Sequence, residues 1–324
     1  MNRRSIVCIL LFCACFATAE ERSHSFALSV ETGFLYGTSY EIVYNFAGSS
    51  RYTSELQWKS TPLWFIGLAA EYGPVKPFVR PGFFGTLEIK LGMPGKTGVI
   101  EDRDWLIPGA LTHFSSHDNH TKAAVFADLG GGFSVPLTGG LLLRLSLDVS
   151  YMYLKYEAHD GYIQYGLNNH KPDPFKPYVS WDPKWAKVPI NGLGMDYSQH
   201  WFIVGPGMGM VLRLWRFSLS FSLSIRPLAV CVDFDNHFLR EPPFLVVGEL
   251  FGGFFIEPKG GVSFALNEHC ELAIKAAYRY IGETRGNATY YEYYSSGTKE
   301  TEYADSAGAA YRAFQAALTF TWHF

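Results

Sequence analysis

The sequence predicts an all-β chain: a ten-stranded antiparallel transmembrane β-barrel with both termini on the periplasmic side and long extracellular loops. Three observations carry that prediction. Aromatic residues make up 17% of 324 residues with glycine at 32, yet mean hydropathy is only +0.01, too low for a bundle of membrane helices. The N-terminus has secretory character. Apolar and polar residues alternate repeatedly, with the period of two that a sheet imposes.

Arg3 and Arg4, an apolar run from Ile6 to Phe16 and the small residues Ala17-Thr18-Ala19 form a signal peptide over residues 1–19, too short to span a membrane. Residues 20–324 are then expected to form a single barrel domain. Loss of the leader removes Cys8, Cys13 and Cys15, leaving Cys231 and Cys270, which do not amount to a disulfide framework. A formal charge of −3 argues against a nucleic-acid-binding face.

The first strand shows Phe26, Leu28 and Val30 on one face, so odd-numbered Glu41 points to the other. In the third, Leu87, Ile89 and Leu91 face out, which turns Asp102 and Asp104 inward. Leu141 to Val149, Phe217 to Ile225 and Leu272 to Tyr280 alternate in the same way, and the closing stretch sets Leu318, Phe320, Trp322 and Phe324 on one face. An apolar edge at a chain end needs closure or cover, which favours a barrel. The expected strands are 24–45, 55–72, 77–101, 122–136, 141–157, 199–214, 217–232, 246–257, 262–284 and 307–324. Short turns are expected near Gly73–Lys76, Leu137–Gly140, Trp215–Arg216 and Pro258–Gly261. Long loops are expected near 46–54, 102–121, 158–198, 233–245 and 285–306. In the seventh strand the outward set changes from odd residues, up to Ile225, to Leu228, Val230 and Val232. This implies a β-bulge at Arg226-Pro227 and turns Asp233, Asp235 and His237 into the lumen.

With both acidic strand ends at one rim, Glu41, Asp102, Asp104, Asp233, Asp235 and His237 converge. Histidine held by a carboxylate accepts a proton near neutral pH, and an opposing carboxylate pair can position the water it deprotonates. Glu41 and Asp233 would attract a cationic side chain. An acidic solvated rim, or a divalent-cation site on Asp-x-Asp-x-His, fits the same spacing.

These residues resemble the omptin family of outer-membrane aspartate-histidine endoproteases. The resemblance rests on Ser54-Glu-Leu-Gln-Trp-Lys59, Asp102-Arg-Asp-Trp105, Tyr197-Ser-Gln199, Asp233-Phe-Asp-Asn-His237 and the aromatic closing strand. It implies that Asp235 and His237 form a catalytic dyad facing Asp102 and Asp104, with water as the nucleophile and neither metal nor cofactor. Polypeptides with basic residues are the implied substrates, Glu41 and Asp233 lining the pocket for the basic residue before the cleaved bond. His113 stands where the family often has an acid for the residue after that bond, so strict dibasic preference is not implied. Lipopolysaccharide is the implied activating lipid, with Tyr151, Tyr153 and Lys155 matching its site on the outer wall and His200 replacing an expected arginine. The implied location is the bacterial outer membrane, the site facing the exterior, in a monomer.

Competing readings exist. His113, His117 and His120 could bind zinc in a loop, and Ser115 lies among them without a visible orienting group. A non-catalytic adhesin would use the same barrel, and Tyr290, Tyr291, Tyr293 and Tyr294 in the last loop would suit one. A small porin is disfavoured because Arg144, Asp148, Glu271, Lys275 and Arg279 should plug so narrow a lumen.

Overall fold

A computed structural model describes residues 24–44, 52–107, 109–166 and 178–324; the leader at 1–19 and the loop at 46–51 lie outside these. The strands are β1 (His24–Tyr44), β2 (Tyr52–Pro74), β3 (Gly82–Gly92), β4 (Gly95–Asp104), β5 (His113–Thr138), β6 (Leu141–Tyr165), β7 (Val188–Pro189), β8 (Leu193–Leu214), β9 (Phe217–His237), β10 (Phe244–Ala265), β11 (Cys270–Tyr294) and β12 (Gly297–His323). No helix occurs among the described residues.

All pairings are antiparallel and the sheet closes on itself. β1 pairs with β2 on one side and with β12 on the other, from Ala27↔His323 to Val43↔Ala307. β3 and β4 follow each other between β2 and β5, sharing one position in the ring. β7 pairs only with β6, at Tyr162↔Pro189 and Ile163↔Val188, beyond the end of β8. The ring therefore passes through ten strand positions and leaves no long edge to recruit other chains.

The side-chain period of two builds a different wall on each face. At the lower end, which carries the β2–β3, β5–β6, β8–β9 and β10–β11 connections, the outer face is an apolar belt that includes Val30, Leu68, Leu147, Phe221, Ile274 and Phe320. Above it the outer face becomes charged: Lys59 pairs with Glu101 at 2.8 Å, Lys155 with Asp196 at 3.3 Å and Arg285 with Asp305 at 2.8 Å, while Arg312 lies 5.1 Å from the Tyr40 ring centre.

Inside, two layers differ in kind. The upper core is aromatic, with Trp58 fully buried and stacked between Tyr156 at 5.7 Å and Tyr197 at 5.4 Å. The lower lumen holds ion pairs: Lys90 with Glu31 (3.3 Å) and Glu88 (3.1 Å), Arg279 with Glu257 (2.6 Å) and Asp128 (3.1 Å), Lys259 with Glu257 (2.8 Å), and Arg226 with Asp148 (3.4 Å). Of the residues expected to plug the lumen, Arg279 and Asp148 join this network. Arg144 instead pairs with Glu71 at 3.1 Å, and Glu271 and Lys275 form no ion pair among the described residues.

Two expectations are corrected. Pro258–Gly261 is not a turn. It continues β10, with Pro258 opposite Leu223 and Gly261 opposite Ser220, so the proposed strands 246–257 and 262–284 do not hold. The β10–β11 ladder skips Glu257 and Pro258, from Ile256↔Tyr280 to Lys259↔Ala277, and resumes in the same register, as a strand does around a residue with no N–H. The turn lies at residues 266–269, where the Asn267 carboxamide oxygen accepts from the backbone N–H groups of His269 (2.8 Å) and Cys270 (2.9 Å). The expected loops at 102–121, 233–245 and 285–306 are also largely strand, so the walls rise well above the apolar belt.

The bulge in β9 is present. The β8–β9 register shifts between Val204 and Gly207, opposite Arg226-Pro227, and both Ile225 and Leu228 are exposed while Arg226 is buried. A Cβ on Gly205 would stand 2.6 Å from the Arg226 Cα, so only glycine lets the bulged strand approach so closely.

Candidate active site

The upper rim gathers the acidic residues because three neighbouring ladders carry them to one level. Leu56, Asp102 and Ser115 are register partners across β2, β4 and β5, as are Ser54, Asp104 and His113 one step higher. On the other wall, Tyr197 pairs with Asp235, Gly248 with Asp233, and Phe244 with His237. The outward-facing Glu249 is the partner of Val232 and Arg312 the partner of Thr38, so the acidic residues lie above the level at which the outer wall becomes charged.

Each side chain has a distinct support. The Asp235 carboxylate and the His237 Nε2 form a short hydrogen bond, leaving the other ring nitrogen free. The imidazole stacks on Phe244, with ring centres 4.4 Å apart. Tyr197 donates to Asp233 at 2.8 Å, Gln199 donates to the Tyr197 oxygen at 2.8 Å, and Trp201 donates to Gln199 at 3.0 Å. This chain of donors fixes Asp233 through residues that sequence reasoning did not assign to the site. Their signal was the two-residue spacing of Tyr197, Gln199 and Trp201 on one inward face. Gly248 is required beside it, because a Cβ there would come within 2.1 Å of an Asp233 oxygen. Glu41 accepts from the Trp58 indole at 3.4 Å and lies against Asp235. Ser54 donates to Asp102 at 3.3 Å.

Burial dominates the electrostatics. It raises Glu41 far above the usual carboxylate range, raises Asp104 and Asp235, and pushes Asp102 up to about 7 and Asp233 up to about 6. Burial also lowers His237, against the pull of Glu41, Asp102 and Asp104 across the mouth. The cluster thus holds carboxyl protons near neutrality while its imidazole is uncharged. That pairing of a neutral base with acids of raised affinity suits proton exchange with a bound water.

His113 lies beside Asp104 with its ring centre 4.4 Å from that of Tyr165, and burial lowers it. The histidine trio does not converge. His113 and His117 are buried on the inward face of β5, whereas His120 lies against His159 with ring centres 4.8 Å apart, so the zinc reading loses its geometry. Ser115 contacts the His117 Nε2 at 3.1 Å, and the backbone oxygen of Asp160 orients the other nitrogen. That orienting group is a main-chain atom, which no sequence pattern reveals. Tyr151, Tyr153 and Lys155 lie on β6 with side chains directed outward, away from the rim cluster. There Tyr151 hydrogen-bonds His200 at 2.9 Å, Tyr153 stacks on His200 at 4.5 Å, and Lys155 pairs with Asp196.

The family model for the omptins matches residues 22–324. Among solved structures, the outer membrane protease OmpT from Escherichia coli superposes with a TM-score of 0.81 at 17% identity, covering 95% of this chain and 99% of that one. The translocator domain of the autotransporter NalP from Neisseria meningitidis (TM-score 0.37, 9% identity, 99% and 96% covered) and the toluene transporter TodX of P. putida (0.34, 11%, 94% and 91%) match too weakly to carry an argument. No curated protein sequence matches the chain.

Proposed function

The chain belongs to the omptin family, and from that premise we propose that it is an outer-membrane endopeptidase that cleaves polypeptides beside a basic residue with water activated by His237 and Asp235. The observation that carries this reading is the His237–Asp235 hydrogen bond facing Asp102 and Asp104 across one mouth. In the proposed reaction Asp235 holds the imidazole, whose free nitrogen takes a proton from a water positioned by Asp102 and Asp104. The resulting hydroxide attacks the peptide carbonyl, and the protonated carboxyls stabilise the oxyanion as the amine leaves with the proton from His237. No covalent enzyme intermediate forms, which makes the chemistry aspartic-type.

Glu41 and Asp233 receive the basic side chain before the cleaved bond. The mouth faces the cell exterior and both termini lie at the periplasmic end, so the charged upper wall stands in the headgroup zone and beyond. There Tyr151, Tyr153, Lys155 and His200 contact lipopolysaccharide. Because Lys155 already pairs with Asp196, phosphate binding depends on that pair opening.

Refolding the barrel with lipopolysaccharide and offering internally quenched peptides containing Arg-Arg, Arg-Lys and Arg-Ala tests the reading. Cleavage lost in both His237→Ala and Asp102→Ala, with heat-modifiable mobility intact, supports it. A barrel that binds cells or matrix but cuts none of the peptides is the adhesin instead.

A further inference from the structure

The two walls of the mouth are chemically unlike. One end carries Glu41, Asp233 and Asp235. The other carries His113 and Tyr165 next to the water-holding pair Asp102 and Asp104, and toward it reaches Arg240, from the six-residue link 238–243 between β9 and β10. That link is anchored where it leaves β9, by the Phe238 N–H to the Gly194 carbonyl at 3.1 Å and by the His237↔Phe244 pairing. From this base the Arg240 guanidinium extends to the Tyr165 phenol, which is itself in ring contact with His113. Its positive charge is felt at Asp102, Asp104, Asp235, His113 and His237, yet it forms no ion pair with any described carboxylate. Arg240 is exposed, so its head is accessible to a chain entering the mouth.

A substrate bound in extended form turns successive side chains to opposite sides. When the residue before the cleaved bond enters the Glu41–Asp233 end, the next residue faces the wall of His113, Tyr165 and Arg240. Burial keeps His113 uncharged and the phenol protonated there, and raises the proton affinity of Asp102 and Asp104, which are turned to the water, so the cation left to meet the substrate on that wall is Arg240. We propose that Arg240, backed by Tyr165 and His113, is the group that reads the residue after the cleaved bond, favouring a carboxylate there and repelling a second basic side chain. This rests on the endopeptidase reading and deepens it: the substrates are sites of the form basic–acidic or basic–neutral rather than dibasic. Sequence reasoning noted only that His113 departs from an acid; Arg240 lies in a loop with no periodicity to flag it.

The test uses the refolded full barrel with lipopolysaccharide and three quenched peptides differing only in Arg-Glu, Arg-Ala or Arg-Lys at the cleaved bond. The wild type is expected to cleave them in that order of kcat/KM. Arg240→Ala raises the Arg-Lys to Arg-Glu ratio by about tenfold, Arg240→Glu inverts the order, and Arg240→Lys keeps it. A wild type that prefers Arg-Lys overturns the proposal. So does an Arg240→Ala variant that leaves the ratio unmoved or slows all three peptides by the same factor, which would make Arg240 a general support of the mouth. Cleavage of none of the three by the wild type removes the endopeptidase reading and this one together, and is distinguishable because every other outcome shows turnover.

Discussion

The lower lumen and the upper mouth both gather acidic side chains, yet charge is handled in opposite ways. Below, Lys90, Arg226, Lys259 and Arg279 each contact at least one acid, with Arg279 bridging Glu257 and Asp128. Above, Glu41, Asp102, Asp104 and Asp233 stand without a lysine or arginine ion pair among the described residues, and Asp235 pairs only with His237. Compensated charge holds strands together across a narrow interior. Uncompensated charge raises proton affinity and leaves groups available for chemistry. One barrel thus separates structural from reactive polarity along its axis.

The largest effect that sharpens the contrast is on turnover. His237→Ala is expected to lower kcat on an Arg-Ala peptide by about 10³–10⁴-fold while urea unfolding is nearly unchanged. The mirror experiment is Arg279→Met, which leaves Asp128 only the Ser150 hydroxyl and a distant Arg226 at 3.9 Å, and leaves Glu257 only Lys259. It is expected to cost about 3 kcal/mol in urea unfolding of the detergent-held barrel while the folded fraction keeps its kcat. Loss of kcat without loss of stability would erase the distinction between the two layers.

A subtler effect comes from pH. Asp102 titrates near 7 when folded, above its unfolded value of about 4, so its ionisation opposes folding. Ionisation of Asp102 therefore lowers stability as pH rises from about 4 to 7, and Asp102→Asn is expected to lose activity yet be more stable by about 2 kcal/mol at pH 8 and no different at pH 4. Equal midpoints for the two proteins at pH 8 would show that the mouth does not store this cost. The smallest effect is outside both layers: Lys299→Ala, which breaks the exposed 2.9 Å pair with Glu292 in the β11–β12 hairpin, is expected to leave the urea midpoint unmoved.

Much of this was legible in the sequence because a strand maps parity directly onto a face. Glu41, Asp102 and Asp104 could be turned inward by counting from Val30 and Leu91, and the change of parity after Ile225 located the bulge that brings Asp233 and Asp235 inside. The same reasoning failed where the lipid-facing signal stops. The upper parts of β4, β5, β9, β11 and β12 lack an apolar outer face, so His113–His120 and Thr289–Tyr294 looked like loop although their backbones are fully paired. Pro258-Lys-Gly-Gly looked like a turn because composition marks permitted bends, not used ones; the bend went to Asn267, whose side chain satisfies two backbone donors. The spacing of Tyr197, Gln199 and Trp201 put them on one inward face of β8 but not their order of donation to Asp233 on β9, and the reach of Arg240 depends on a contact with Tyr165 on β6 that spacing does not encode.

The seam between β1 and β12 joins Ala27 to His323, almost the two extremes of the described chain. No other ladder is so non-local, so its loop-closure entropy must be met before any reward arrives. β1 is synthesised before β12 and keeps one bare hydrogen-bonding flank until β12 follows. Closure of the ring therefore waits for β12, and until then that flank is open to pairing with other chains.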